Sequence, residues 1–591
     1  MIKLISVIVL IGIIGFSLVN QYVNENKDKE KKTQKNRRIG KEKNKEANKE
    51  VDVKNSKKEN KEKYSNSEEN INNVTKLSRI DEFCNKHYKK IWIVFAVIIF
   101  ITVIYKFGEI PTYVGVDEAG MAYDAYCLAE YGTDRYMNSF PLYLTNFGGG
   151  QSSLCAYLVA LCIKLFGANM IAYRLPTLLI YLMSVVVSYL LISKAKNKKT
   201  ALLFTFLIIT CPWNIANARM ALDCNLFAGL FMLDLYLMNK AEKNYQYFIA
   251  GISVGITLYT YCLSWITIPI FLLVWAIYML YIKKIKFRQL IVLGIPIAIF
   301  AAPLIYFLLL NYGIVDQTQL GIFTLPILPE FRAGEIGISN IINTSLESLK
   351  TIFISDETIY LIYVPLFIIG YIIEFKNAIQ EVKKKEYGIS ALMVIAFTTI
   401  LLGLLMTKIP TANKANVLFI PILYFVTIAI LAITKDSKVI LSIFILTILM
   451  LWVNFEYYYY MVDGVSNENW YEDIYLMDIT NKIESDEELK EKQKYVLAYK
   501  SSPHIYTLLE MKMSPEEYMN TVEINYYGEN IQRVRKVGNY NYLNIASEFD
   551  AIDLENDYVF IITNIYKKQI NILLENGYKL EEYGDYCILT K

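Results

Sequence analysis

Chemistry in this chain has to come from ionisable side chains set beside apolar segments. Asp117 and Glu118 stand together, followed by Asp124, Glu130, Asp134 and Arg135. Arg174, Arg219 and Asp223 stand at the ends of apolar runs, and Lys408 and Lys414 flank the loop before another. Charges at such places are costly when they face lipid, so they tend to face a cavity or a substrate path. Carboxylates there can act as bases, and cations can hold anions. The plain alternative is that the cations snorkel to the headgroups and the acidic pair is solvated loop. Other chemistries are poorly supplied. The chain has two histidines in 591 residues, and none of its eight cysteines forms a CxxC. A histidine-based site, a zinc cluster and a thioredoxin-like motif are therefore not expected.

The elements that position these groups are membrane spans. Apolar residues make up 54% of the chain, with a mean hydropathy of +0.30. The excess falls in runs that approach or reach the roughly 20 residues needed to cross a bilayer. A soluble enzyme, a fibrous protein and a disordered chain are excluded. Residues 4–19 follow Lys3 and precede no small-residue cleavage site, so 1–20 reads as an uncleaved anchor. Residues 21–90 hold 21 Lys and Arg against 13 Asp and Glu with few apolar side chains, which predicts a disordered cytoplasmic linker. Its lysines alternate with glutamates and lack interleaved aromatics, so nucleic acid is not an expected partner.

A span over about 91–106 places Asp117 on the outer side. The run 153–166 is short and is broken by Lys164 and Gly167. Laid along the outer interface, it lets 173–192 run inward and puts the lysines of 194–199 in the cytoplasm. Spans near 200–212, 220–238, 246–262, 264–282, 290–310, 359–375, 389–406, 415–433 and 438–454 then alternate, with every inner loop basic or mixed. The expected fold is a mostly α, polytopic helical bundle of about eleven core spans (91–455) plus the N-terminal anchor. Residues 456–591 hold 13 Lys and Arg against 25 Asp and Glu and no span. They read as a small external α/β domain with strands near 495–499, 558–562 and 586–589. Helices are expected to start at Ser502-Pro503 and Ser514-Pro515, and another to run over 565–576. This tail has no GxGxxG or P-loop, and His504 reads as a packed or helix-surface residue.

Ordered motifs carry a family likeness. Val116-Asp117-Glu118-Ala119-Gly120 and Tyr123-Asp124-Ala125-Tyr126 are followed by Tyr131-Gly132-Thr133-Asp134-Arg135-Tyr136. Tyr173-Arg174-Leu175-Pro176, Pro212-Trp213-Asn214 with Arg219, Tyr259 with Tyr261, and Asn413-Lys414-Ala415-Asn416 come later. Over about 91–460 the chain resembles polytopic glycosyltransferases of the GT-C fold. It is most similar to glycosyltransferase family 39, which includes protein O-mannosyltransferases and aminoarabinose transferases.

The resemblance implies transfer of a sugar from a polyprenyl-phosphate donor to an acceptor hydroxyl on the outer face. The acceptor would be a protein, a wall polymer or a lipid. Asp117 would be the general base of an inverting displacement, with Glu118 orienting it or the acceptor. Arg174 would bind the donor phosphate, with Lys414 and Arg219 as further candidates. Asp134, Tyr123, Asn413 and Tyr261 would contact substrate. No cofactor is expected; a divalent cation bridging Asp117 or Glu118 to the phosphate is compatible with this scheme, but no ligand spacing supports it. The loop 311–358 reads either as a lid or as a plain connection with an amphipathic helix near 338–353. Competing classes are a transporter or flippase of lipid-linked sugars and a non-catalytic envelope protein.

Overall fold

The computed structural model describes residues 79–591, except 318, 332–335, 355–357, 409–410, 464–473, 499–501, 528–530 and 544. The expected anchor and the linker up to residue 78 lie outside the described residues. The end of the expected linker is helical instead of disordered: α1 is Arg79–Ile99, continued by a π turn over Phe100–Ile104. Asp81 and Glu82 occupy its first turn, where the helix dipole favours acid. Ile80 is buried, and Asp81 pairs with Lys199 at 3.1 Å. These contacts hold the helix beyond its apolar part.

Two helices follow, α2 (Val116–Tyr131) and α3 (Leu154–Phe166). The 13 residues of α3 span about 20 Å, short of the roughly 30 Å hydrocarbon core. Then come α4 (Met170–Ala195), α5 (Lys198–Ile209), α6 (Pro212–Ala218), α7 (Asp223–Lys240), α8 (Asn244–Thr257), α9 (Ser264–Tyr281) and α10 (Phe287–Asn311). In the long loop after α10 lie α11 (Ile338–Asn343) and α12 (Ser345–Ile354). The bundle ends with α13 (Tyr363–Lys384), α14 (Ile389–Leu405), α15 (Ala412–Thr434) and α16 (Lys438–Tyr458).

A helix occupies each segment read as a core span. Among the described residues, six helices are long and apolar enough to cross a bilayer: Arg79–Ile104, Met170–Ala195, Ser264–Tyr281, Phe287–Asn311, Ala412–Thr434 and Lys438–Met461. Others are interrupted. α5 and α6 meet at 64°, because Pro212 opens a new helix there, and α13 folds back on α14 at 119°. α8 stops at Thr257, before the end expected at 262, so Tyr261 and Cys262 lie in a turn. Close packing is visible where Gly370 of α13 meets α15: a Cβ there would lie 1.8 Å from the Phe425 carbonyl oxygen.

The basic loops converge at one end of the bundle. Lys196 pairs with Glu374, Lys199 with Asp436, Gln289 donates to the Glu242 carbonyl, and Tyr387 donates to Asn239.

Residues 474–591 build a seven-stranded sheet in the order β10-β11-β9-β5-β8-β7-β6. Its strands are β5 (Lys494–Leu497), β6 (Glu523–Tyr527), β7 (Ile531–Val537), β8 (Tyr540–Tyr542), β9 (Val559–Thr563), β10 (Lys579–Tyr583) and β11 (Tyr586–Thr590). Strand β5 runs parallel to β8 and β9; the other pairings are antiparallel. The sheet's helices are α17 (Ile474–Ser485), α18 (Glu487–Glu491), α19 (His504–Met511), α20 (Pro515–Thr521) and α21 (Lys567–Glu575). Alternation along β9 sends Val559 and Ile561 into one core and Phe560 and Ile562 into another. The first core also contains α17 and α19 and runs on without a break into α2 and α3 of the bundle. The sheet domain is therefore packed directly on the helix that carries Asp117.

Candidate active site

Helix α2 starts after Gly115, with Asp117 and Glu118 in its first turn. Consecutive helical residues point about 100° apart, so the two acids face different surroundings. Glu118 is fully buried. Its Oε1 accepts from Arg174 Nε at 2.9 Å and from the Ala221 amide at 2.8 Å, and its Oε2 accepts from Arg174 Nη2 at 3.1 Å. Arg174, equally buried, also donates to the carbonyls of Pro111 at 2.8 Å and Tyr113 at 2.9 Å. Arg219 spends its five N–H groups on the carbonyls of Ile110, Thr102, Tyr105 and Lys106 and on the Tyr460 hydroxyl, at 2.8 to 3.1 Å.

These contacts correct three expectations. Arg174 and Arg219 do not present donors to a phosphate, because both are sealed from solvent and committed to the protein. Glu118 does not orient a substrate, because its carboxylate is engaged by Arg174 and Ala221. The two guanidiniums instead satisfy carbonyls at the end of α1 and along 110–113, which lack helical partners there. Two further expected contact residues are also taken. Asp134 is buried and accepts from the amides of Tyr136 and Asn138 and from Asn138 Nδ2, each at 2.9 Å, so it shapes its own loop. Burial, then the charge of Asp124, pushes its carboxyl up to about 7. Tyr123 is buried and donates to the Met513 carbonyl at 3.1 Å, docking the sheet domain.

Asp117 is solvent-exposed. Its Oδ1 accepts from Asn146 Nδ2 at 3.2 Å. Asn146 sits in a hairpin between β1 (Tyr143–Leu144) and β2 (Gln151–Ser152). It approaches α2 over Gly120, where a Cβ would come within 2.7 Å of Asn146 Oδ1. The same hairpin reaches a second carboxylate: the Ser152 amide donates to Asp223 Oδ2 at 3.1 Å. Asp223 opens α7, with its Oδ1 on the Cys224 amide at 2.8 Å, and lies within electrostatic reach of Asp117.

Lys414 arrives from the first turn of α15. Two residues on, Asn416 Nδ2 donates to the Cys224 carbonyl at 2.9 Å and to Asn225 Oδ1 at 3.1 Å, which pins that turn beside Asp223. Lys414 is half-buried, and among the described residues no ion pair engages its ammonium. Cys262 is exposed, and both Asp223 and Lys414 act on it electrostatically. Tyr261 is half-buried beside Asp223 and Tyr143. Asn413, half-buried, shares the turn of Lys414, while Lys408 is exposed in the loop before it. Asp223 thus lies within electrostatic reach of Asp117, Tyr261 and Cys262, and Lys414 within reach of Cys262. Among the described residues no group of three or more His, Cys, Asp or Glu side chains could hold a metal ion.

Residues 151–307, from β2 into α10, match the family described as dolichyl-phosphate-mannose-protein mannosyltransferase. No curated protein matches the chain by sequence. Among solved structures, ArnT from Cupriavidus metallidurans bound to undecaprenyl phosphate aligns with a TM-score of 0.54, 10% identity and coverage of 84% of this chain and 98% of that one. The apo state of the same protein gives 0.52 and 10% over 86% and 98%. The chain has the GT-C fold. A more distant likeness is the archaeal oligosaccharyltransferase AglB from Archaeoglobus fulgidus, with a TM-score of 0.44 and 11% identity over 72% and 64%.

As a GT-C chain it is a multi-pass membrane protein. Of the expected site residues, Asp117 and Tyr261 lie within electrostatic reach of Asp223, Lys414 acts on Cys262 with Asn413 next to it in the chain, and Glu118, Arg174, Arg219, Asp134 and Tyr123 are engaged within the protein. Sequence reasoning saw Asp223 only as one charge among several, named Asn416 only as part of a motif, and missed Asn146 and Cys262. An Asp at the first position of an apolar helix was the available signal for Asp223. Asn146 had none, since its partner is 29 residues away, and the motif that holds Asn416 gave no hint of its partner 191 residues away.

Proposed function

We propose that this protein is a membrane glycosyltransferase that moves a sugar from a polyprenyl-phosphate donor to an acceptor hydroxyl on the outer face of the membrane. The observation that carries the reading is exposed Asp117 within electrostatic reach of Asp223, beside which Asn416 pins the turn of Lys414, a lysine with no ion pair among the described residues. ArnT was solved with undecaprenyl phosphate bound, and the shared fold supports the same class of leaving group here. The outer-face assignment rests on the basic loops gathered at the opposite end of the bundle.

In this mechanism Asp117 takes the proton of the acceptor hydroxyl as its oxygen attacks the anomeric carbon. The bond from that carbon to the phosphate oxygen breaks in the same displacement, so the anomeric configuration inverts. Taking up the proton also relieves the repulsion between Asp117 and Asp223. Polyprenyl phosphate leaves with an added negative charge, which Lys414 stabilises. Tyr261 and Asn413 contact the sugar or acceptor, and the donor tail stays among the helices.

The test is complementation of a deletion strain with Asp117→Asn. Its envelope glycans should match those of the deletion strain, with transfer down by about 10²–10⁴-fold, while the purified variant still binds undecaprenyl phosphate. Glycans restored to the parental level would remove Asp117 as the base.

A further inference from the structure

We infer that the sheet domain positions the Asp117 carboxylate, through the Tyr506 hydroxyl on one side of it and strand β7 on the other. This rests on the reading of Asp117 as the base.

The segment before α2 is held carbonyl by carbonyl. Ile110 is taken by Arg219, Pro111 and Tyr113 by Arg174, and Val114 by the hydroxyl of Tyr506 at 3.0 Å. The two arginines come from the bundle; Tyr506 comes from α19 of the sheet domain. Both Tyr506 and Val114 are buried, so neither gains a hydrogen bond from water when the other is lost. Val114 directly precedes Gly115, whose carbonyl receives the Ala119 amide at 2.7 Å in the first turn of α2. Asp117 lies within that turn.

The second hold acts on the partner of Asp117. Asn146 donates to Asp117, and the next carbonyl along the chain, that of Phe147, accepts from the Gln532 amide of β7 at 3.0 Å. The Gln532 side chain also accepts from Tyr136 at 3.0 Å, and the Phe147 ring packs on His504 at 6.2 Å. The backbone under Asp117 and the amide that meets it are thus both anchored in the sheet domain. An error of about 1 Å in placing a catalytic group can cost about 10²-fold in rate, so loosening one anchor should register in turnover.

Tyr506→Phe removes only the hydroxyl. The control is Tyr578→Phe, which removes the hydroxyl of another buried tyrosine, donating to the Asn556 carbonyl at 2.8 Å elsewhere in the same domain. Both full-length variants should show a similar small fall in melting temperature and parental affinity for undecaprenyl phosphate. Only Tyr506→Phe should speed amide exchange over 114–119, and only it should lower glycan formation in the complemented strain, by about tenfold. Parental exchange or parental glycan formation in Tyr506→Phe overturns the inference, as does an equal loss in Tyr578→Phe. If Asp117→Asn still makes glycan, the base assignment fails, while the exchange over 114–119 continues to report on the Tyr506 anchor.

Discussion

Arg174 and Glu118 form a two-point ion pair at 2.9 and 3.1 Å, with both side chains at 0% exposure. The pair joins the inward helix α4 to the first turn of α2, and the same guanidinium holds the carbonyls of Pro111 and Tyr113. A cation that seemed placed for a donor phosphate is thus a mounting for the carboxylate next door.

Replacing Arg174 should therefore damage the fold before it damages donor binding. Removing one partner of a buried pair leaves the other uncompensated, at a cost of about 3–5 kcal/mol. Arg174→Gln should give a poorly folded protein with a sharply lower melting temperature. Melting in detergent and binding of undecaprenyl phosphate to the folded fraction measure the two effects separately. A normally folded protein that has lost undecaprenyl phosphate binding would restore Arg174 as a phosphate ligand.

Lys414 should behave in the opposite way. Its ammonium has no ion pair among the described residues to lose, so Lys414→Gln should leave the melting temperature near that of the parent. A hydrogen bond to a charged group contributes about 1.5–3 kcal/mol, so affinity for undecaprenyl phosphate should fall by about tenfold or more. Lys414→Arg should retain most of it. Titration of the purified variants with undecaprenyl phosphate decides.

Cys262 offers a direct probe of the surroundings of Asp223 and Lys414. It is exposed, while the other cysteines among the described residues are buried or half-buried. A small methanethiosulfonate reagent should modify Cys262 first, and saturating undecaprenyl phosphate should slow that modification. Mass spectrometry of the labelled peptide reads the rate; a rate indifferent to undecaprenyl phosphate would place that ligand elsewhere.

His504 predicts an acid sensitivity of the sheet domain. Burial, then the nearby Arg135 charge, lowers its imidazole to about 3, and the rings of Phe147 and Tyr542 pack against it. Above the ordinary value of about 6.5 the histidine is neutral in folded and unfolded chains and contributes no pH dependence. Below it the unfolded chain binds a proton that the folded chain refuses until about pH 3, so stability falls with pH across that window. The loss is about 2 kcal/mol by pH 5. Melting temperatures at pH 7.5 and pH 5 should diverge less in His504→Phe than in the parent; equal divergence would exclude His504 as the cause.

Composition and patterning determined the scaffold. Apolar runs marked the segments that became bundle helices, because the hydrocarbon core accepts little else. Alternating basic loops indicated which ends lie together, and Lys196, Lys199, Glu374 and Asp436 meet accordingly. In the tail, Ser514-Pro515 opened α20, with the Ser514 hydroxyl accepting from the Glu517 amide at 3.1 Å. These are local properties, settled within a few residues. The folded chain alone decided which charges face one another. Glu118 differs from Asp117 only by one step of helical rotation, yet that step buries it against a partner 56 residues away and leaves Asp117 exposed to solvent. Arg174 and Lys414 look alike as cations at span ends. The first meets a carboxylate and two orphan carbonyls, and the second meets no ion partner among the described residues. Burying a charge requires a full set of partners, and those partners come from distant elements that only packing brings together.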